Sequence, residues 1–159
     1  MTKEEKEFEE EYLELSKKYS LPEFKGICED FDIEKILEKE STFLLREIRR
    51  AMNEKLAAYI NLFETLINPA SPPIFVFSIL RGIELKDKEK MKEIYKNLAR
   101  TQLEIMKLDT QYEEVGEARF IIKTFKIWQE AKPKILEIIE SFRKNFEKSN
   151  ESKKTSYFD

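Results

Sequence analysis

The chain has 159 residues, of which 41% are hydrophobic and 38% charged, a composition that excludes a disordered polyampholyte and indicates one globular domain. Its formal net charge of −3 excludes the strongly basic footprint of a general nucleic-acid binder. The chain has no histidine and one cysteine, which excludes histidine-dependent catalysis, His-ligated zinc sites and an internal disulfide. Nucleic acid is therefore not an expected partner.

The first third of the chain contains three predicted helix starts. Apolar residues at three- and four-residue spacing predict an amphipathic helix over residues 4–19. Ser20 and Glu23 have the spacing of a capping box for a short second helix that ends near Asp30. Asp32 is predicted to cap the next helix, whose apolar positions lead into the most regular segment of the chain.

Two segments carry apolar residues at seven-residue spacing, which is typical of long helices packed in a bundle. The first series ends before the proline-rich segment 68–73 and consists of Leu45, Met52, Tyr59 and Leu66. The second series follows Asp87 and consists of Met91, Leu98, Ile105 and Tyr112. Residues 74–80, between the two series, are apolar nearly all round, so we expect this short helix to be buried.

A third apolar stripe predicts a last long helix. It contains Ala118, Ile121, Phe125, Trp128, Ile135, Ile139, Phe142 and Phe146. Its register is displaced by one position from the preceding series, which predicts a kink or break within residues 109–117, with Thr110 and Glu113 as a capping box. Pro133 predicts that the helix bends or stops just before it, because proline removes one backbone hydrogen bond and clashes with the preceding turn.

The pattern as a whole predicts an all-α protein, a multi-helix antiparallel bundle with long amphipathic helices and no β-sheet. Residues 1–146 form the single predicted domain. Residues 147–159 are polar and carry no apolar stripe, so they are predicted to form a disordered C-terminal tail. We expect a cytoplasmic protein that does not enter a membrane, because the chain has neither a signal-peptide pattern nor an apolar run of roughly 20 residues.

An acidic run, EEVGE at residues 113–117, resembles the EExxE segment of the MazG-like all-α nucleoside-triphosphate pyrophosphohydrolases. In that family, carboxylates on two packed helices hold Mg²⁺ against the phosphates of the substrate. The resemblance implies Mg²⁺ as a cofactor and, as its ligands, Glu113, Glu114, Glu117, Glu137 and Glu140. The last two stand where the family has its ExxD motif, with Glu in place of Asp. The alternative interpretation is a solvated helix face, on which Glu114 and Glu117 are replaceable by Gln at little cost.

Two other groups of residues are candidate contacts for a partner. The first long helix carries a small basic patch that consists of Arg46, Arg49 and Arg50. This patch indicates a contact with phosphate, RNA or an acidic protein, whereas Glu47 at helical spacing from Arg50 favours pairing within the helix. Tyr157 and Phe158 resemble the aromatic pair of a sliding-clamp-binding peptide and indicate a short linear motif.

The function expected from these observations is non-enzymatic. The apolar stripes are longer than a small bundle needs and no catalytic constellation accompanies them, so we expect a helical protein–protein interaction or scaffold protein without a cofactor. Its partner is another protein or a second copy of the chain. The alternatives are a Mg²⁺-dependent pyrophosphohydrolase, and an accessory factor that is tethered by its C-terminal aromatic peptide or binds RNA.

Overall fold

The computed structural model of the protein describes residues 3–38 and 43–155, with side chains for residues 4–36 and 43–148. These residues form six α-helices and one 3₁₀ helix. The elements are α1 (Lys3–Tyr19), α2 (Phe24–Phe31), the 3₁₀ helix (Ile33–Glu38), α3 (Leu44–Ile67), α4 (Ile74–Leu80), α5 (Leu85–Thr110) and α6 (Glu114–Thr155). The described ranges contain no β-strand, so the prediction of an all-α bundle is confirmed.

Helices α3, α5 and α6 form the centre of the bundle, and each packs against the other two. Arg49 on α3 bonds Asp109 near the end of α5, whereas Asn53, one turn later on α3, bonds Gln102 earlier on α5. Contacts that move in opposite directions along two helices show that α3 and α5 are antiparallel. Glu104 on α5 pairs with Lys123 on α6, whereas the earlier Lys90 pairs with the later Glu137, so α6 runs back along α5. The break predicted within residues 109–117 is therefore a full reversal, after which α6 runs parallel to α3.

The apolar stripes bury their residues along these three helices, which confirms the helical periodicity read from the sequence. The buried members of the two seven-residue series are Leu45, Met52, Leu66, Met91, Leu98 and Ile105. In the last helix the core position falls on Ile138 rather than the predicted Ile139, which is exposed. The buried residues Ala131, Ile135, Ile138 and Phe142 alternate by four, three and four, as a core-facing stripe does.

Helices α1 and α2 and the 3₁₀ helix pack together and against α3 and α6. Tyr12 on α1 is fully buried, and its hydroxyl donates to the Pro22 carbonyl oxygen at 2.7 Å. The Tyr12 ring also lies 5.2 Å from the ring of Phe24 on α2. These contacts fold the chain back between α1 and α2.

The predicted helix caps are wrong at three places because the local backbone conformation decides them. Ser20 has a φ of 57° and follows α1, and Glu23, the residue before α2, makes no side-chain capping bond. Asp32 has a φ of 50° and ends α2 in the left-handed conformation. Thr110 is the last residue of α5, and its hydroxyl donates to the Met106 carbonyl oxygen at 2.8 Å.

The segment after Asp32 also differs from its prediction. It forms a 3₁₀ helix that ends at Glu38, and α3 begins separately at Leu44. The apolar positions of the two segments therefore do not share one continuous helical stripe. Ile33 and Ile36 are nevertheless buried, as their apolar character requires.

Helix α6 continues past both positions where the sequence predicted a bend or an end, Pro133 and Phe146. It runs through Pro133 without stopping, and Pro133 is exposed, so water can reach the carbonyl that the missing N–H leaves free. The helix also continues to Thr155, through most of the segment predicted to be a disordered tail, because Lys and Glu are favourable helix formers and extend a helix that has already started. Tyr157 and Phe158 lie outside the described residues.

No described helix combines the length and apolar character needed to cross a membrane.

Candidate functional site

Residues from two separate sequence-based hypotheses meet where α3 and α6 begin and α5 ends. The Arg49 side chain is 1% exposed, and its Nε donates to the Glu117 carboxylate at 2.6 Å. Its Nη2 donates to Asp109 at 2.7 Å. Burial alone would lower the pKa of Arg49, but the hydrogen bonds to Glu117 and Asp109 outweigh it and raise that pKa. We call Arg49, Asp109 and Glu117 the Arg49 cluster; it joins the three central helices.

The structure does not bring Arg46, Arg49 and Arg50 together on one exposed surface. Arg50 pairs with Glu47 at 2.9 Å on its own helix, as the spacing predicted. The Arg46 guanidinium lies 4.6 Å from the centre of the Tyr112 ring, within cation–π distance. Arg49 points into the core. The three side chains therefore have three different partners, and they form no common site for a phosphate.

The acidic run at 113–117 is divided between the surface and the interior. Glu114 accepts hydrogen bonds from Lys18 at 2.8 Å and from the Tyr19 hydroxyl. The hydrogen bond from Lys18 lowers the pKa of Glu114. Glu117 is completely buried, so the interpretation of the whole run as a solvated helix face is wrong at this residue. The sequence signal was available, because Glu117 is one turn before Ile121 in the apolar stripe.

The carboxylates of the implied Mg²⁺ site are not assembled. Glu137 pairs with Lys90 at 2.6 Å, and Glu140 pairs with Arg143 at 2.8 Å. Because α6 is unbroken, Glu137 lies about 30 Å along the helix from Glu117 at 1.5 Å per residue. Within the described part of the chain, no group of three or more acidic, cysteine or histidine side chains is placed to hold a metal ion.

The groove between α5 and α6 contains three open cavities of about 300, 510 and 390 Å³. Three ion pairs bridge α5 and α6 along it: Glu104 with Lys123, Glu93 with Lys134 at 2.8 Å, and Lys90 with Glu137 at 2.6 Å. All six charged groups thus have a partner on the opposite helix. This arrangement holds the two helices together and leaves no converging unpaired groups for a ligand among them.

The apolar helix α4 is the surface that departs most from its prediction. Ile74 is 88% exposed, Phe75 63% and Phe77 49%, so the expectation that residues 74–80 are buried is wrong. Val76 and Ile79 on the opposite side are buried and provide the attachment to the core. A two-turn helix that packs on one side leaves its other side in water. We call Ile74, Phe75 and Phe77 the α4 outer face.

The end of α4 is fixed to α6 by a close backbone approach. Asn145 on α6 donates a side-chain hydrogen bond to the Gly82 carbonyl oxygen, directly after α4. A Cβ atom at Gly82 would lie 2.5 Å from the Asn145 Cβ, so only glycine allows this distance. At the other end, the Phe75 ring lies 6.0 Å from the Phe146 ring of α6. The α4 outer face is therefore held in place at both ends.

Comparison of the chain with protein-family models, curated proteins and solved structures finds no match to any of them. The geometry of the described surfaces is therefore the basis for inferring a function. Of these, the α4 outer face combines apolar character, exposure and a fixed position.

Proposed function

We propose that this chain is a non-enzymatic helical protein–protein interaction protein, and that the α4 outer face is the surface that binds its partner. The observation that carries the proposal is the exposure of Ile74, Phe75 and Phe77 in one short helix. Full burial of an Ile or Phe side chain contributes roughly 1.5–3 kcal/mol, and these three partly exposed side chains lack a large part of that contribution. Exposed apolar patches of this kind mark interaction surfaces in soluble proteins.

The attachment of α4 supports a preformed binding surface. Val76 and Ile79 pack into the core, and Asn145 and Phe146 hold the two ends of the segment on α6. Because α4 is already fixed in place, binding of a partner to this face requires little ordering of this segment, which favours affinity. Four cavities among the described residues lie between other helices, and the α4 outer face lines none of these four. An apolar surface on the exposed side of a helix suits a protein better than a small molecule, which binds in a concave pocket.

Photo-crosslinking in the native cell tests this proposal. A photoreactive phenylalanine analogue replaces Phe77 in one variant and Leu103 in the matched control, because Leu103 on α5 is 73% exposed and apolar but lies on another helix. We expect one defined protein adduct from position 77 and none from position 103. Adducts of the same pattern from both positions, or no adduct from position 77, would contradict the proposal.

A further inference from the structure

We infer that the outward side of α5 docks on the surface of an anionic lipid bilayer, which the chain contacts without spanning it. This side belongs to another helix than the α4 outer face and takes another class of partner, so it goes beyond the proposed function. With about 100° between successive residues, eight residues of α5 lie within about 40° of one line along the side opposite the buried Thr101. We call these residues the α5 lysine face: Leu85, Lys88, Lys92, Lys96, Ala99, Leu103, Met106 and Thr110.

The charges of α5 are separated between its two sides. Lys88, Lys92 and Lys96 are exposed and about one turn apart, and none of them forms an ion pair with a residue that the structure describes. Four of the five acidic residues of α5 bond side chains of α3 or α6. These bonds join Asp87 to Ser141, Glu93 to Lys134, Glu104 to Lys123 and Asp109 to Arg49. The fifth, Glu89, lies at the edge of the face, about 60° from its centre line. The face is therefore positive, and an anionic partner complements it.

The most acidic part of the molecule lies across the bundle from this face. Residues 3–38, which form α1, α2 and the 3₁₀ helix, contain 13 acidic and 6 basic residues. The Asp30 carbonyl oxygen at the end of α2 accepts a hydrogen bond from Lys55 of α3, whereas Asn53 bonds Gln102 of α5. Lys55 and Asn53 are about 160° apart around α3, so α2 and α5 cover opposite sides of that helix. A negative surface repels the first side and attracts the second, which turns α5 toward the bilayer.

The shape of the α5 lysine face fits a flat partner. Leu85 is 74% exposed, Leu103 73% and Met106 66%. The face extends about 32 Å from Leu85 to Met106 along one helix, and its residues line none of the four cavities described above. A convex ridge without an adjacent groove gives a protein little area for complementary packing, whereas a fluid bilayer surface needs no matched shape. The lysines contact lipid phosphates and the apolar side chains insert among the headgroups, as in other basic amphipathic helices at membrane surfaces.

Co-sedimentation of the purified full chain with lipid vesicles tests this docking. We expect binding to vesicles of equimolar phosphatidylserine and phosphatidylcholine that weakens as salt is raised, and much weaker binding to pure phosphatidylcholine. Each lysine near an anionic surface contributes about fivefold to binding, so changing Lys88, Lys92 and Lys96 together to Gln should weaken it roughly a hundredfold. The matched control removes three exposed lysines elsewhere and should show a much smaller loss: Lys6→Gln, Lys17→Gln and Lys126→Gln.

A fluorescent label tests whether the apolar end of the face reaches the headgroup layer. In a Cys28→Ser background, an environment-sensitive dye is attached at Leu103→Cys or, as the control, at Leu136→Cys on α6, where the native side chain is 59% exposed. We expect the phosphatidylserine vesicles to shift the dye emission to the blue at position 103 and to leave it unchanged at position 136. Circular dichroism checks that each variant keeps its helical fold.

These outcomes are independent of the proposed function, because no variant changes the α4 outer face. Equal binding to both kinds of vesicle, or a triple lysine variant that binds like its control, overturns the docking of α5 on anionic lipid. A dye at position 103 that does not respond to bound vesicles also overturns it, since another surface is then the contact. If the vesicles do not bind and position 103 crosslinks to an acidic protein in the cell, the anionic partner is that protein and the bilayer is excluded.

Discussion

At the residue scale, Arg49 donates to carboxylates on two other helices, and both Arg49 and Glu117 are shielded from water. Removing two charges from water costs several kcal/mol per ion, and their attraction offsets this cost only while both partners are present. The pair also specifies register. A one-turn shift of α6 that brings Ile121 to the position of Glu117 would leave Arg49 without that carboxylate, whereas the repeated apolar residues of the stripes would still find apolar neighbours.

We predict that Glu117→Gln destabilises the protein by about 3 kcal/mol, because it leaves Arg49 buried with only the half-exposed Asp109 as an ionic partner. Glu114→Gln is the control in the same acidic run; its carboxylate is 40% exposed, so we expect a much smaller change. Urea unfolding measures both. Equal stability of the two variants would show that the buried pair contributes no more than a surface pair.

Asp30 provides a second residue-scale prediction, for acid stability. Burial alone would raise the pKa of Asp30, but hydrogen bonds from Lys132 and Gln129 on α6, both at 2.6 Å, hold it below its ordinary value of 3.8. A depressed pKa in the folded state stabilises the fold above the ordinary value, and this contribution is lost as the pH falls through the folded-state pKa.

Asp30→Asn should therefore reduce the free energy of unfolding at neutral pH, and its difference from the wild type should shrink below about pH 4. Asp32→Asn is the matched control, because Asp32 is exposed and, within the described ranges, forms its ion pair with nearby Lys35 at 3.6 Å. Urea unfolding at pH 7 and at about pH 3 makes the comparison. A difference between Asp30→Asn and wild type that grows as the pH falls would reverse the sign of this argument.

At the element scale, the periodic segments and the ends of α1 and α3 could be predicted, but the helix caps could not. The seven-residue series place Met52 and Leu98 in the core correctly, because burial of one helix face imposes that spacing. Ser20 and Thr110 have suitable side chains for capping, but a cap needs a backbone conformation that depends on the neighbouring helices. The sequence also could not show which side of helix 74–80 is buried, because a helix that is apolar nearly all round has no polar face that must point to solvent.

Gly82 and Gly26 form a matched pair for an element-scale prediction. Gly82→Ala should destabilise the protein by about 1–3 kcal/mol, because the added Cβ would meet the Asn145 Cβ at 2.5 Å. Gly26→Ala places its Cβ 3.4 Å from Phe125 Cζ, an ordinary contact, and should stabilise α2 by roughly 0.5–1 kcal/mol. Thermal melting of both variants gives the signs, and a stabilising Gly82→Ala would disprove the close approach.

Pro133 gives a prediction for α6. It lies at an exposed position inside a continuous helix, where proline is less favourable than alanine by about 3 kcal/mol. Pro133→Ala restores the N–H donor to the Gln129 carbonyl and should raise the free energy of unfolding by about 1–3 kcal/mol. The control is Lys126→Ala, at an exposed position on the same helix. Lys132 is not used as a control, because it bonds Asp30. A neutral or destabilising Pro133→Ala would contradict this cost of proline in the helix interior.

At the scale of the whole molecule, one buried cluster includes side chains from every helix. Tyr12 of α1, Phe31 of α2 and Ile79 of α4 belong to the same cluster as the residues of α3, α5 and α6. Which helices are neighbours could not be read from the sequence, since the stripes show only that each has an apolar face. The Arg49 cluster and the α4 outer face both follow from this arrangement: one lies where three helices converge and the other where a single helix is covered on one side.

This cluster joins every helix, and a smaller cluster of Ile105, Leu108 and Phe120 joins α5 to α6, so the described helices should unfold in one step. Trp128 lies 5.7 Å from the Phe31 ring and 5.3 Å from the Tyr59 ring, so its fluorescence reports on the junction of α2, α3 and α6. We expect the fluorescence and far-UV circular dichroism transitions in urea to coincide at one fixed protein concentration. Tyr12→Phe removes the hydrogen bond to the Pro22 carbonyl and should lower the free energy of unfolding by about 1 kcal/mol. The midpoints of both transitions should therefore shift together to lower urea concentration. If α1 and α2 instead form a separate unit, part of the helical signal will disappear before the Trp128 fluorescence changes, and Tyr12→Phe will move only that early part.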